Sequence, residues 1–283
     1  MRVGIVGTEI SHVEHVIEYL NVARRQGDGA RVVALSGGAG ERNRELAAAG
    51  GIDLLVDEPA DLLGHVDAVI VSDRDARLHR AHALPFLSAG LPVLVDKPFA
   101  TTVDDAEAMI AVARAHGAPI TSYSTLRYGP DAQALRDAVA GLGPIQAVVA
   151  TGPADETSEY GGIHFYGIHP VDVAFSLVPG PVGPVRMERA ADTVVATARV
   201  GDAHVTVNLV RPANDVVPFH ALAIGRTGLV ARTLTPGPHY VWPGLDEFFR
   251  MIATGRPPID PEDLLRPVRF LADLDRALAA DPR

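Results

Sequence analysis

Residues 3–6 form a short apolar run ended by Gly7, and residues 11–23 then set Val13, Val16, Ile17 and Leu20 at helical spacing, so the chain opens as strand, turn and helix. The alternation repeats. Apolar runs at 32–35, 54–56, 68–71 and 92–95 and around Ile120 predict buried strands, and the stretches 42–49, 61–63, 78–89 and 103–116 predict helices between them. A connection between parallel strands lays its helix on the sheet, so this pattern predicts an α/β domain with a parallel sheet covered on both faces. About six such strands make a doubly wound, Rossmann-like domain over residues 1–122.

After residue 122 the pattern changes. A helix is predicted over 131–140, then strands over 147–151, 194–200, 204–210, 221–224 and 229–232, interrupted by one helix over 169–177 and followed by helical segments over 245–254 and 261–280. Strands in succession without helices between them predict an open antiparallel sheet, hence an α+β second domain over residues 123–283, with the last helices able to pack back on the first domain. No internal repeat and no low-complexity linker interrupts the chain.

Composition narrows the class. With 47% hydrophobic and 21% charged residues in 283, the chain can bury a large core and is not disordered. A net charge of −10 without any dense basic run argues against nucleic-acid binding. The absence of Cys excludes disulfides and thiolate metal sites. No apolar run approaches the roughly 20 residues of a membrane span, and an apolar strand follows the first Arg without a signal-peptide layout, so a cytoplasmic protein is expected. Of the 25 basic side chains, 24 are Arg and one, Lys97, is Lys. In a chain so biased to Arg, the retained lysine points to a site that needs a compact ammonium whose proton can be tuned and transferred.

Lys97 lies in LPVLVDKPFA (91–100), at the carboxyl end of the fifth predicted strand, the edge where open α/β sheets hold ligands. Together with Gly4 and Gly7 in the opening turn, the His79 stretch leading to Ala89-Gly90, Lys97-Pro98, Arg127, Leu142-Gly143-Pro144-Ile145, Gly161-Gly162, and Gly167-Ile168-His169 followed by Asp172, it resembles the Gfo/Idh/MocA family of nicotinamide-dependent dehydrogenases along nearly the whole chain. The resemblance implies an enzyme that moves a hydride between NAD or NADP and a small hydroxylated or keto substrate. It implies Lys97 as the group binding and polarising the oxygen, His169 as acid/base, and Asp172, one helical turn on, as the residue that orients it. For the cofactor it implies Gly7, Thr8, Glu9, Ser36, Arg42, Ser72, His79 and Lys97. A homodimer or homotetramer is expected too, since family members use the open sheet for assembly and its apolar face must be buried.

Four positions depart from the family pattern. Sugar-oxidising members carry Asp four residues before the motif histidine; Phe165 stands there, which moves the substrate contacts to His164, Tyr166, Tyr123 and Arg127 and puts polyol oxidation in question. The dinucleotide fingerprint G-x-G-x-x-G reads Gly7-Thr8-Glu9-Ile10-Ser11-His12, with Glu9 and His12 in place of the second and third glycines. A Glu9 carboxylate ~4 Å from a phosphate would cost roughly 4 kcal/mol at an effective dielectric near 20, about a thousandfold in affinity. Ser11 to Glu14 also match an S-x-x-E capping box, which would consume the N–H groups a phosphate needs. Finally, Ser36 replaces the acidic residue expected after the second strand, and Arg42 and Arg44 follow, a slight lean towards NADP.

Glu9, His12 and His15, and Asp73, Asp75 and His79, are candidate ligand sets for zinc or manganese; because Ser11 leaves Glu9 outside the helix, no metal site is expected. The altered turn leaves two other functions open: a cofactor-independent lyase or isomerase using Lys97 and His169 on protons beside a carbonyl, or a non-catalytic binding protein. Substrate shape is assigned to the loops at 152–164 and 212–218.

Overall fold

The computed structural model describes residues 1–211 and 219–281. In chain order its strands are β1 (Arg2–Val6), β2 (Arg31–Ser36), β3 (Leu54–Val56), β4 (Ala68–Val71), β5 (Val93–Val95), β6 (Ile120–Thr121), β7 (Ile145–Pro153), β8 (Arg186–Ala190), β9 (Thr193–Val200), β10 (Ala203–Val210), β11 (Phe219–Gly225) and β12 (Gly228–Leu234). The helices are α1 (His12–Ile17), α2 (Gly40–Gly50), α3 (His79–Ser88), α4 (Val103–His116), α5 (Pro130–Val139), α6 (His164–Ser176), α7 (Trp242–Thr254) and α8 (Leu265–Ala280). They fall into two compact units: Met1–Ala100 with Asp104–Ser122 and Val241–Leu264, and Thr101–Val103 with Tyr123–Tyr240 and Leu265–Arg283.

The first unit is a six-stranded, all-parallel sheet in the order β3-β2-β1-β4-β5-β6. Its strands are apolar on both faces because helices cover both; Val3, Ile5, Val6, Val69, Val71, Val93 and Val95 are all buried. Gly4 lets Val66 approach the sheet, since a Cβ there would lie 2.9 Å from Val66 Cγ1. The strand order reverses between β1 and β4, so their carboxyl ends, followed by Gly7 and by Ser72, open the crevice in which such sheets bind ligands. The predicted helix over 11–23 is shorter than expected: α1 stops at Ile17 and continues as a π-helical turn, Glu18–Val22. The predicted helix at 61–63 is a 3₁₀ turn, Pro59–Leu62.

The second unit is a six-stranded sheet in the order β12-β11-β7-β10-β9-β8. It is antiparallel except at its centre, where β7 and β10 run parallel. Val148 and Ala150 of β7 and Val205 and Val207 of β10 bury one face with Val171 and Phe175 of α6 and Phe270, Leu271 and Leu274 of α8. Gly152 permits a close approach, because a Cβ there would stand 3.0 Å from Pro170 of α6. Strand β8 is absent from the sequence expectation because Arg-Met-Glu-Arg-Ala offers one large apolar side chain to the core. Helix α6 begins at His164, five residues before the predicted start, so His169 lies in its second turn.

Candidate functional site

In the first unit the turn after β1 is held from two sides. Gly7 has φ +78°, a conformation that favours glycine, and a Cβ there would lie 2.5 Å from Asp73 N. Its N–H donates to Ser36 O at 2.9 Å, and its carbonyl accepts from Ser72 Oγ at 2.7 Å. Thr8 is buried with its hydroxyl donating to Asn43 Oδ1 at 2.5 Å, while Asn43 Nδ2 donates to Gly37 O at 2.6 Å. From the first turn of α2, Arg42 donates through Nε to Thr8 O and through Nη2 to Ile10 O at 3.2 Å and Glu14 Oε1 at 2.7 Å. Glu9 is exposed. The capping box is not formed: Ser11 makes no side-chain cap and Glu14 pairs with Arg42.

Lys97 lies two residues past the end of β5 in a buried setting, 8% exposed, before a cis bond to Pro98. Burial pushes its ammonium below the ordinary lysine value, with Asp96 opposing and Arg74 adding to the shift. Asp96 is paired with His12, whose Nδ1 is 3.0 Å from Oδ2. Burial alone would raise the Asp96 carboxyl, but His12 and then Lys97 draw it down to about 2. Nearby, Asp73 Oδ2 takes His82 Nδ1 at 2.9 Å, and this bond raises the His82 imidazole above its ordinary value despite burial.

The second unit assembles a chain of polar contacts around α6. His169, 6% exposed, places Nδ1 2.7 Å from Ser124 Oγ. Ser124 Oγ also accepts from Leu126 N at 3.2 Å, and Ser124 N donates to Asp172 Oδ2 at 2.8 Å. Arg127 completes it, with Nη1 2.6 Å from Asp172 Oδ1. Burial opposes the Arg127 charge, but Asp172 and Tyr128 hold its guanidinium above the ordinary value. Asp172 reaches His169 through Ser124, which bonds both and which sequence reasoning missed. The available signal was Ser124-Thr125-Leu126, a serine placed to cap the turn that follows β6. The His169 ring lies 5.5 Å from Phe219 in a T-shaped contact and 6.0 Å from Tyr166 in a tilted one, centroid to centroid.

Several expected ligand residues are spent on the protein instead. His79 is fully buried, with Nδ1 2.9 Å from Pro98 O and Nε2 3.1 Å from Asp73 O, so its ring lies between the main-chain carbonyls of the residue after Lys97 and of the turn after β4. Ser36 is fully buried with Oγ facing Asp57 O at 3.4 Å, and the Ser72 hydroxyl serves Gly7. His164 is buried, and its imidazole is pushed below the ordinary value by that burial, with Asp275 opposing. Its Nδ1 is buried without a hydrogen-bond partner among the described residues. Tyr123 is buried edge-on to Tyr128, whereas Tyr166 is 45% exposed. Among the described residues no group of three His, Asp or Glu is placed to hold a metal, and no helix is long and apolar enough to cross a membrane. Of the two loops assigned to substrate shape, 212–218 lies outside the described residues.

Comparison with known proteins gives three results. Residues 1–124 match the family described as an oxidoreductase family with an NAD-binding Rossmann fold. The chain is 30% identical over 220 residues to an inositol 2-dehydrogenase 1 from Saccharopolyspora erythraea, a match covering 73% of this chain and 63% of that protein. It is 34% identical over 141 residues to a 1,5-anhydro-D-fructose reductase from Ensifer adhaerens, covering 49% and 40%. The chain therefore spans less than two thirds of the length of these curated relatives. Among solved structures, a putative myo-inositol dehydrogenase from Sinorhizobium meliloti 1021 aligns over 100% of this chain and 98% of its own at a TM-score of 0.83 and 19% identity. A myo-inositol dehydrogenase from Lactobacillus casei, in complex with NAD(H) and myo-inositol, aligns over 98% and 94% at 0.80 and 18%. At those identities the likeness establishes the fold.

Proposed function

We propose, from the match of residues 1–124 to the oxidoreductase family with an NAD-binding Rossmann fold, that the chain transfers a hydride between a nicotinamide dinucleotide and a small polyhydroxylated or keto substrate of the sugar or cyclic-polyol class. The observation that carries this reading is the buried Lys97 at the carboxyl edge of the parallel sheet. The residues present fit a dinucleotide: Gly7 provides a tight turn that a Cβ would block, and Glu9 is exposed. Gly7, Thr8 and Glu9 would hold it along the backbone after β1, with Lys97 at the sheet edge. When bound, the nicotinamide supplies the acceptor or donor of the hydride.

The chain's own residues manage the oxygen and its proton. The Lys97 ammonium donates to the substrate oxygen and damps the negative charge that grows as the hydroxyl proton leaves. His169 takes that proton at Nε2. Because Ser124 Oγ, already accepting from Leu126 N, has a second lone pair for Nδ1–H, it can hold the imidazole in the tautomer with Nε2 bare and go on accepting once the ring is protonated. Asp172 fixes Ser124 through its amide, so both Ser124 and Asp172 act as positioning residues.

Calorimetric titration with NADH and NADPH, followed by assays of cyclic polyols and aldoses with the oxidised dinucleotides, tests the reading. The expected result is binding and a substrate-dependent appearance of reduced nicotinamide; the lack of binding of either dinucleotide would overturn it. The same proposal includes a second copy of the chain on the open face of the second sheet, where the apolar Ile224 and Leu229 pair across β11 and β12 at 37% and 64% exposure.

A further inference from the structure

The fingerprint glycines serve to bring backbone close to a diphosphate without side chains in the way. Here the second and third are Glu9 and His12, and the turn they occupy is built differently. Its carbonyls are collected by one side chain from another helix: Arg42 of α2 donates to Thr8 O and Ile10 O and, with the same Nη2, to the Glu14 carboxylate. The next residue, Asn43, holds the Thr8 side chain and returns a bond to Gly37 O.

A trans peptide points its C=O and the following N–H in opposite directions. Fixing Thr8 O and Ile10 O on Arg42 therefore turns the amides of Glu9 and Ser11 to the other side of the turn. Two amides presented on one side are how a main chain meets an anion. Only a planar fork can span two carbonyls and a carboxylate at once; an ammonium is a point donor. The ion pair with Glu14 also occupies the charge that the sequence pattern would assign to a 2′-phosphate.

We infer that Arg42 is the positioning residue of the dinucleotide turn, replacing the conformational role of the missing glycines by clamping Thr8 and Ile10 from behind, and that it does not read the 2′-phosphate. The inference rests on the dinucleotide reading above and deepens it: the clamp serves the diphosphate shared by NAD and NADP, so its loss must weaken both alike.

The test is calorimetric titration of wild type, Arg42→Lys and Arg42→Met with NADH, NADPH and ADP, with circular dichroism to establish that each variant is folded. Loss of two hydrogen bonds from a charged donor sets the expected effect at about 10- to 100-fold weaker binding. That loss should be the same for NADH and NADPH, should extend to ADP, and should be as large in Arg42→Lys as in Arg42→Met. Wild-type affinity in folded Arg42→Lys would overturn the inference, because charge alone would then suffice. A loss confined to NADPH would overturn it too, by making Arg42 a reader of the 2′-phosphate. Should Arg42→Met fail to fold, Arg42→Lys carries the comparison. If wild type binds none of the three, the dinucleotide reading itself fails, an outcome seen before any variant is made.

Discussion

The His12 imidazole lies 3.0 Å from Asp96 Oδ2 and 3.1 Å from Oδ1, which ties the residue in the third-glycine place to the residue before the only lysine. The pair holds Asp96 near 2, below the ~3.9 of an unfolded aspartate. A lowered folded value gives stability that is present above the unfolded value and lost as pH falls through the folded one. Asp96 should thus contribute roughly 2 kcal/mol above about pH 4, fading towards pH 2. Urea unfolding of wild type and Asp96→Asn across that range checks this: the gap between the two should narrow with acid, and a constant gap would refute it.

Asp172 sits in a buried ion pair with Arg127 and accepts the Ser124 amide. Asp172→Ala leaves a buried guanidinium and a buried N–H without that acceptor, a loss expected at about 3–5 kcal/mol. Asp172→Asn keeps an oxygen for Ser124 N and should cost less. Chemical denaturation of the full chain measures both, and a cost under about 1 kcal/mol for Asp172→Ala would show that the pair does not hold the unit together.

What could be read in the sequence follows from where the information is local. Periodicity in 3–6, 13–20 and 103–116 is an intrinsic property of each segment, so the parallel sheet and its helices were legible, with α4 found at its full extent. The parallel pairing of β7 with β10 depends on contacts between segments about 55 residues apart, and nothing local to either strand encodes it. Lys97 stands out in the sequence because its rarity is compositional, whereas Ser124 owes its contacts to His169 and Asp172, 45 and 48 residues away. Arg42 after Ser36 reads locally as a phosphate contact, whereas in the fold its guanidinium meets three oxygens of this same chain, which no local pattern encodes.

Gly7 is the remaining fingerprint glycine, and its φ of +78° together with the contact to Asp73 N makes it irreplaceable on two grounds. Gly7→Ala should cost at least about 2 kcal/mol from the left-handed backbone alone, with the collision added. Thermal melting reads the loss. Gly27, also at positive φ but with open space around it, is the matched control: Gly27→Ala should carry the backbone cost without the clash and lose less.

The open sheet face gives a test of assembly. Leu222 and Ile224 of β11 face Ala231 and Leu229 of β12 across the register, on the side opposite the core residues Ala221 and Ala223. Sedimentation of wild type should show a dimer or larger species, and Leu222→Arg should shift it towards monomer by burying an unpaired charge at the contact. A monomeric wild type would remove the second copy from the proposal.

Lys97 brings composition and geometry to one measurement. An amine-selective reagent has two targets in this chain, Lys97 and the N-terminal amine, and Lys97 is 8% exposed at the sheet edge. Bound NADH should slow modification of Lys97 without protecting Met1, which mass spectrometry of the two peptides resolves. Lys97→Met should fold, keep dinucleotide binding within a few-fold, and lose turnover by about a hundredfold or more, since it removes the donor at the developing charge. Lys97→Arg should rescue little, because a guanidinium is broader and stays protonated. The pH dependence has a definite sign. Burial lowers the Lys97 value, and the chemistry needs the ammonium, so turnover should decline on the alkaline side at a pH below the ~10.4 of an ordinary lysine, and that limb should vanish in Lys97→Arg. Equal turnover in wild type and Lys97→Met would remove the lysine from the chemistry.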